Sequence, residues 1–115
     1  NTPHGVPGNE DYGAMSSWLL FASLGIFPRA GTTDFMLGSP RVSEASLRLQ
    51  HLDGSSSSLD IVTTKNSAEN VYVSSLLVNG LEHKSTVIDR SVLMSAAGCR
   101  LECVMSAAPV SGLCA

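Results

Sequence analysis

The spacing of apolar positions along this chain changes near residue 28. From Gly13 onwards Met15, Trp18, Leu19, Ala22 and Ile26 recur at three- and four-residue steps, which places them on one face of a helix. The dozen residues before it are rich in Gly and Pro and predict a loop. Asn9 or Asp11 can cap the helix, because a short polar side chain accepts a hydrogen bond from a free amide two or three residues on. Gly25 and Pro28 end it: Gly tolerates a left-handed turn, and Pro cannot continue a helix.

Beyond Pro28, Arg29-Ala30-Gly31-Thr32-Thr33 reads as a turn and the spacing falls to two. Ala45, Leu47 and Leu49 face one way and Ser46, Arg48 and Gln50 the other, as in a half-buried strand. Asp53-Gly54 opens a turn that Ser55 to Ser58 lengthens, and Leu59 to Thr63 is the return strand. A loop over Lys65 to Asn70 precedes a β-rich run from Val71 to Val78. Asn79-Gly80 closes that run as a tight hairpin, and Glu82 to Thr86 continues it. Leu101 to Met105 alternates as a last strand, stopped by Ala107-Ala108-Pro109. The fold class expected is α+β: one N-terminal helix followed by five or six strands in an antiparallel sheet or sandwich.

Composition narrows the function classes. With 115 residues, 43% hydrophobic and 15% charged, the chain suits one domain with a modest core, not a disordered tail. A net charge of −3 with both signs interspersed provides no basic stripe, so no nucleic-acid partner is expected. The longest apolar run, Trp18 to Phe27, is about half the roughly 20 residues a membrane span needs, so none is expected. The start, Asn1-Thr2-Pro3-His4-Gly5, has neither an initiating Met nor a signal-peptide pattern, and reads as the interior of a longer protein.

Cys99, Cys103 and Cys114 make an odd set clustered near the end, a poor disulfide framework without zinc-ligand spacing. On one strand Cys99 and Cys103 stand roughly 13 Å apart, too far to bridge, and Cys103 reads as a small buried apolar residue. His4, His51 and His83 are widely separated without paired spacing, which argues against a metal site. Ser16 and Ser17 have no nucleophile elbow and read as helix-packing residues. Trp18, at helical spacing with Met15 and Ala22, reads as core in preference to a sugar-stacking platform. Asn66-Ser67-Ala68 is not a glycosylation sequon.

The acidic loop Asn9-Glu10-Asp11 carries the chemistry. Free amides and the helix dipole favour an ionised carboxylate at a helix start, which suits a general base or a metal ligand. The flanking glycines let a ligand approach the backbone. On the residues alone the plainer reading is preferred: Asp11 is a helix cap and Glu10 an exposed first-turn charge.

A longer pattern bears on that choice. The stretch from Gly5 to Trp18, Gly-Val-Pro-Gly-Asn-Glu-Asp-Tyr-Gly-Ala-Met-Ser-Ser-Trp, resembles the Gly-Leu-Pro-Gly-Asn-Asp-Asp-x-Gly-x-Met-Ser-x-Trp segment of glycoside hydrolase family 92. Leu24-Gly25-Ile26-Phe27-Pro28 is similar to that family's Leu-Gly-Phe-Tyr-Pro, and Gly38-Ser39-Pro40 to its Gly-Ser-Pro. Asn70, Tyr72 and Val73, followed by Asn79-Gly80, resemble its Asn-x-Tyr-Ile-Gln and Leu-Asn-Gly stretches. Leu101 to Met105 stands where its closing Leu-x-Phe-x-Met strand lies. The order is kept over nearly the whole chain, although Ser74 replaces the usual Gln and Gly98-Cys99 a Gly-Gly pair.

The resemblance implies the C-terminal part of an inverting, calcium-dependent exo-α-mannosidase, commonly acting on α-1,2 linkages of mannose-containing glycans. Asp11 then matches the general base, with Asn9 and Glu10 beside it as substrate contacts; Asn9 stands where some members carry a second, assisting Asp. Residues 1–28 become the end of an (α/α)6 catalytic barrel, with its base-bearing loop and helix, and residues 29–115 a C-terminal antiparallel β region. The general acid and the Ca2+ ligands fall mainly upstream, so the missing barrel and N-terminal domain are implied partners, and the chain alone is expected to be inactive. The kind of enzyme also implies a parent that is secreted (extracellular) or resides in the secretory pathway. The competing reading is a non-catalytic β-sandwich module that packs on an enzyme or binds carbohydrate, which has no use for an enclosed carboxylate at a helix start. Exposed apolar residues on the helix, Trp18, Leu19 and Phe21, are expected to make an isolated segment poorly soluble.

Overall fold

The computed structural model describes residues 11–110. Helix α1 (Ala14–Leu24) leads into strands β1 (Ile26–Pro28), β2 (Asp34–Leu37), β3 (Glu44–Gln50), β4 (Ser56–Thr64), β5 (Tyr72–Val78), β6 (Leu81–Glu82) and β7 (Val87–Asp89). A one-turn helix α2 (Arg90–Leu93) and strand β8 (Cys99–Ser106) complete the order. The strands form two sheets, ordered β1-β2-β7 and β3-β4-β8-β5-β6. The fold class expected from the sequence therefore holds: a leading helix, then mostly antiparallel sheet. Asn9, Glu10, His4 and Cys114 lie outside the described residues.

One apolar cluster joins the sheets. Ile26 and Ile88 enter it from the three-stranded sheet, and Leu59, Ile61, Leu76, Leu101, Cys103 and Met105 from the five-stranded one. Along β8, Cys99, Leu101, Cys103 and Met105 are buried while the residues between them are not, the period-two pattern of a strand with one covered face. Burying a side chain such as Ile61 or Leu101 contributes about 1.5–3 kcal/mol. Strand β3 alternates as its sequence predicts, with Ala45, Leu47 and Leu49 half-buried and the others exposed. Cys99 and Cys103 are free thiols, both buried on the inner face of β8.

Several details differ from the pattern-based expectation. Strands β4 and β8 pair in parallel, Leu59 opposite Cys99 through Thr64 opposite Val104, so the larger sheet is mixed. Alternation reveals which face of a strand is buried but not which strand lies beside it. Ser56, Ser57 and Ser58 belong to β4 and not to the loop, because they pair with Gln50, Leu49 and Arg48. The turn is confined to His51–Ser55, where the His51 N–H donates to Ser55 O at 2.9 Å and Ser55 N–H to Asp53 Oδ1 at 2.9 Å. Of the expected continuation from Glu82 to Thr86, only Glu82 belongs to a strand, opposite Leu77, and the His83 N–H adds one bond to Leu76 O at 2.9 Å. Strands β1, β2 and β7 are too short for a periodic signal; β2 gains its place by pairing with both others.

Candidate active site at the head of helix α1

The helix forms because Ala14–Leu24 contains good helix formers, with no β-branched residue and no Pro. It also contains no charged residue, so it lacks the polar face of an ordinary surface helix. Met15, Trp18, Leu19 and Leu20 are each more than half exposed, and Leu24 alone is buried. Among the described residues Trp18 is thus not part of the core expected for it, since the sheets take only the last turn of α1. Phe21 is half-buried, its ring 6.2 Å from that of Phe27 and 6.5 Å from that of Phe35. Ile26, expected to share the helix face, lies beyond the helix in β1.

Asp11 stands just ahead of this helix in an unusual backbone. Asp11, Tyr12 and Gly13 have φ of 52°, 58° and 94°, three successive left-handed residues. Such angles are uncommon for residues with a Cβ, above all for a bulky one such as Tyr12, and they recur where a backbone is held for function. The turn is closed by the Ala14 N–H donating to Asp11 O at 3.3 Å. Gly13, not Asn9 or Asp11, occupies the N-cap, and no side chain caps the helix from there. The left-handed run explains the difference: it sets Asp11 two residues ahead of the capping position. Asp11 is exposed, not enclosed, leaving its carboxylate on the surface at the helix head.

Most other carboxylates among the described residues have partners in local structure. Asp34 faces Arg29 at 3.9 Å, Glu82 faces Lys84 at 3.4 Å and Glu102 faces Arg100 at 3.4 Å. Asp60 accepts a hydrogen bond from Ser46, and Glu69 from Ser67. Asp89 caps α2 through the Ser91 N–H and also accepts from the Thr33 hydroxyl at 2.8 Å. The Ser91 side chain and amide, with Thr33, hold the Asp89 carboxyl below its ordinary value. Calcium takes six to eight oxygen ligands, yet no group of three or more His, Cys, Asp or Glu among the described residues could hold a metal ion.

At its other end α1 is clamped. Gly25 has a left-handed φ of 72°, and its N–H donates back to Ala22 O and Phe21 O, so the expected helix stop is correct. The loop after β2 covers this end: the Gly38 N–H donates to Gly25 O at 2.8 Å and the Arg41 N–H to Ser23 O at 2.9 Å. A Cβ on Gly25 would come within 2.7 Å of Pro40 N and 2.8 Å of its ring carbons. In the sequence, Gly25 and Gly38-Ser39-Pro40 are separate motif pieces, and no local signal brings them together. Beside the clamp, an apolar cavity of about 130 Å³ lies between the sheets, bounded by Leu24, Ile61, Leu76, Leu101 and Cys103. It is lined without any carboxylate.

Comparison with known proteins defines the class first. The pattern of the glycosyl hydrolase family 92 catalytic domain matches residues 1–107. The chain belongs to glycoside hydrolase family 92. A curated relative from Arthroderma benhamiae, described as an uncharacterized secreted glycosidase, is 34% identical over 83 residues, which are 72% of this chain and 11% of that protein. A family GH92 α-mannosidase from Bacteroides thetaiotaomicron superposes with a TM-score of 0.77 at 29% identity, covering 95% of this chain and 14% of its own. An inverting mannosidase of the family from the same organism gives 0.70 at 26% identity, covering 87% of this chain and 13% of its own. The chain thus spans about a tenth to a seventh of these relatives. No helix among the described residues is long and apolar enough to cross a membrane.

Proposed function

We propose that this chain is the C-terminal part of an inverting, calcium-dependent α-mannosidase, and that Asp11 is its general base. The observation that carries the reading is the match of residues 1–107 to a catalytic domain, within which Asp11 stands on a left-handed turn at the head of α1. In the reaction Asp11 takes a proton from a water molecule as the water oxygen attacks the anomeric carbon. The bond to the leaving oxygen breaks, and that oxygen takes a proton from an acid on the opposite side of the sugar. Inversion needs the two carboxyl groups roughly 6.5–9.5 Å apart, leaving room for the water. The acid belongs to a part of the protein upstream of this chain, and the calcium ligands lie mainly there too. Asn9 and Glu10, outside the described residues, fit substrate contacts next to the base.

Residues 1–28 then close the catalytic barrel and residues 29–115 form the β region behind it. The uncharged helix α1, with Met15, Trp18, Leu19 and Leu20 exposed, supports this division, since a helix with large exposed apolar residues and no charged face belongs against a larger protein. The substrates are mannose-containing glycans, with α-1,2 linkages the first to test. Secretion of the parent protein is supported by the name of the A. benhamiae relative. The decisive experiment replaces Asp11 with Ala in the full-length protein and measures hydrolysis of α-1,2-mannobiose together with calcium-dependent sugar binding. Loss of turnover with binding retained supports the assignment; surviving turnover refutes it. The 115-residue chain by itself is expected to show no turnover.

A further inference from the structure

We infer that the Gly25–Pro40 contact is a positioning device that determines where the Asp11 carboxylate stands, an inference that rests on Asp11 being the base. Helix α1 is 11 residues long, about 16 Å at 1.5 Å per residue, with Asp11 ahead of one end and Gly25 closing the other. Among the described residues the sheets contact this helix only at its last turn, so that turn is where the β region sets the helix position. There Leu24 and Gly25 are buried, and the Gly38–Arg41 loop bonds to the carbonyls of Ser23 and Gly25. Pro40 is itself buried, and its carbonyl accepts from Asn66 Nδ2 at 3.3 Å, which ties it to the loop after β4.

The contact leaves no room for a side chain at residue 25. The atoms facing the missing Cβ of Gly25 are the backbone nitrogen and ring carbons of Pro40, none of them the tip of a flexible side chain. A methyl group at residue 25 therefore has to tilt the helix or push back the loop. A tilt of about 5° moves the far end of α1 by more than about 1 Å. A misplacement of about 1 Å at a reacting group costs on the order of 100-fold in rate. Gly31 supplies the control: its φ is 76°, yet nothing lies within 4 Å of its missing Cβ, so Gly31→Ala imposes backbone strain without the collision.

The test uses the full-length enzyme carrying Gly25→Ala, Gly31→Ala, Pro40→Ala or Asp11→Ala, each assayed for kcat and KM on an α-mannoside and for thermal melting. Gly25→Ala is expected to lower kcat at least about tenfold with KM within about twofold, while Gly31→Ala leaves both near the parent values. Should Gly25→Ala fail to fold, Pro40→Ala loosens the same contact from the other side and is expected to lower kcat with KM retained. The positioning role is overturned if the folded Gly25→Ala or Pro40→Ala enzyme keeps the kcat of Gly31→Ala while Asp11→Ala is inactive. It is overturned equally if kcat and KM worsen together. Activity in Asp11→Ala removes the base assignment and this inference with it.

Discussion

Asn79 and Arg100 hold each other through two hydrogen bonds. The Arg100 N–H donates to Asn79 Oδ1 at 2.8 Å, and the Asn79 N–H donates to Arg100 O at 2.8 Å. Asn79 thus makes the β5–β6 turn and fastens it to the start of β8. Both turn residues have positive φ, 52° at Asn79 and 81° at Gly80, as a two-residue hairpin of this hand requires. Asn79→Ala removes the side-chain bond and strains the turn, and is expected to destabilise the fold by about 1–2 kcal/mol in urea unfolding. Asn79→Gly keeps the turn and is expected to recover part of that loss.

Cys103 gives a chemical prediction. Burial pushes its thiol up to about 11, so at neutral pH it stays protonated and unreactive. Native protein is expected to react slowly with a thiol reagent at Cys103 and quickly once unfolded in urea. Because the folded value is raised above the ordinary 9.0, stability is present below that value and falls as pH rises from about 9 to about 11. Cys103→Ala should flatten that alkaline decline, although its smaller side chain also lowers stability at every pH.

Asp89 predicts the opposite edge of the pH profile. Its hydrogen bonds from Ser91 and Thr33 depress the carboxyl below 3.8, so their stabilisation is present above that value and lost as pH falls through the depressed one. Asp89→Ala is expected to lower the melting temperature at neutral pH. The difference from the parent protein should shrink in acid below the depressed value. A constant difference across that range would show that the charge of Asp89 contributes nothing.

The apolar side of α1 yields a spectroscopic test. Trp18, the one tryptophan of the chain, is 56% exposed when the described residues stand alone. Its fluorescence in the isolated chain is expected to be red-shifted and open to acrylamide quenching. In the full-length protein it should be blue-shifted and protected. Equal quenching in both contexts would mean that nothing covers this helix. Trp18→Ser is also expected to improve the solubility of the isolated chain.

Much of this structure is legible in the linear pattern because the signals are local. Alternation over Ala45, Leu47 and Leu49 comes from one sheet face meeting the core, and the Asn79-Gly80 turn from two residues that tolerate positive φ. The helix stop at Gly25 is equally local. The start of α1 is not, because its left-handed run from Asp11 to Gly13 includes Tyr12, a residue whose type disfavours that backbone. Periodicity likewise could not reveal β1, β2 and β7, which are three or four residues long and exist through pairing with one another.

The sequence by itself determined the leading helix, the main strands with their buried faces, and the motif that contains Asp11, since each depends on residues near one another in the chain. Tertiary structure decided which strands are neighbours. It placed β8 in parallel beside β4 through contacts between residues some 40 positions apart, such as Leu59 and Cys99. It also decided that Pro40 closes on Gly25 and so clamps α1 at the end away from Asp11. Both depend on steric fit and hydrogen bonding between distant segments, which have no expression in the spacing of either segment alone.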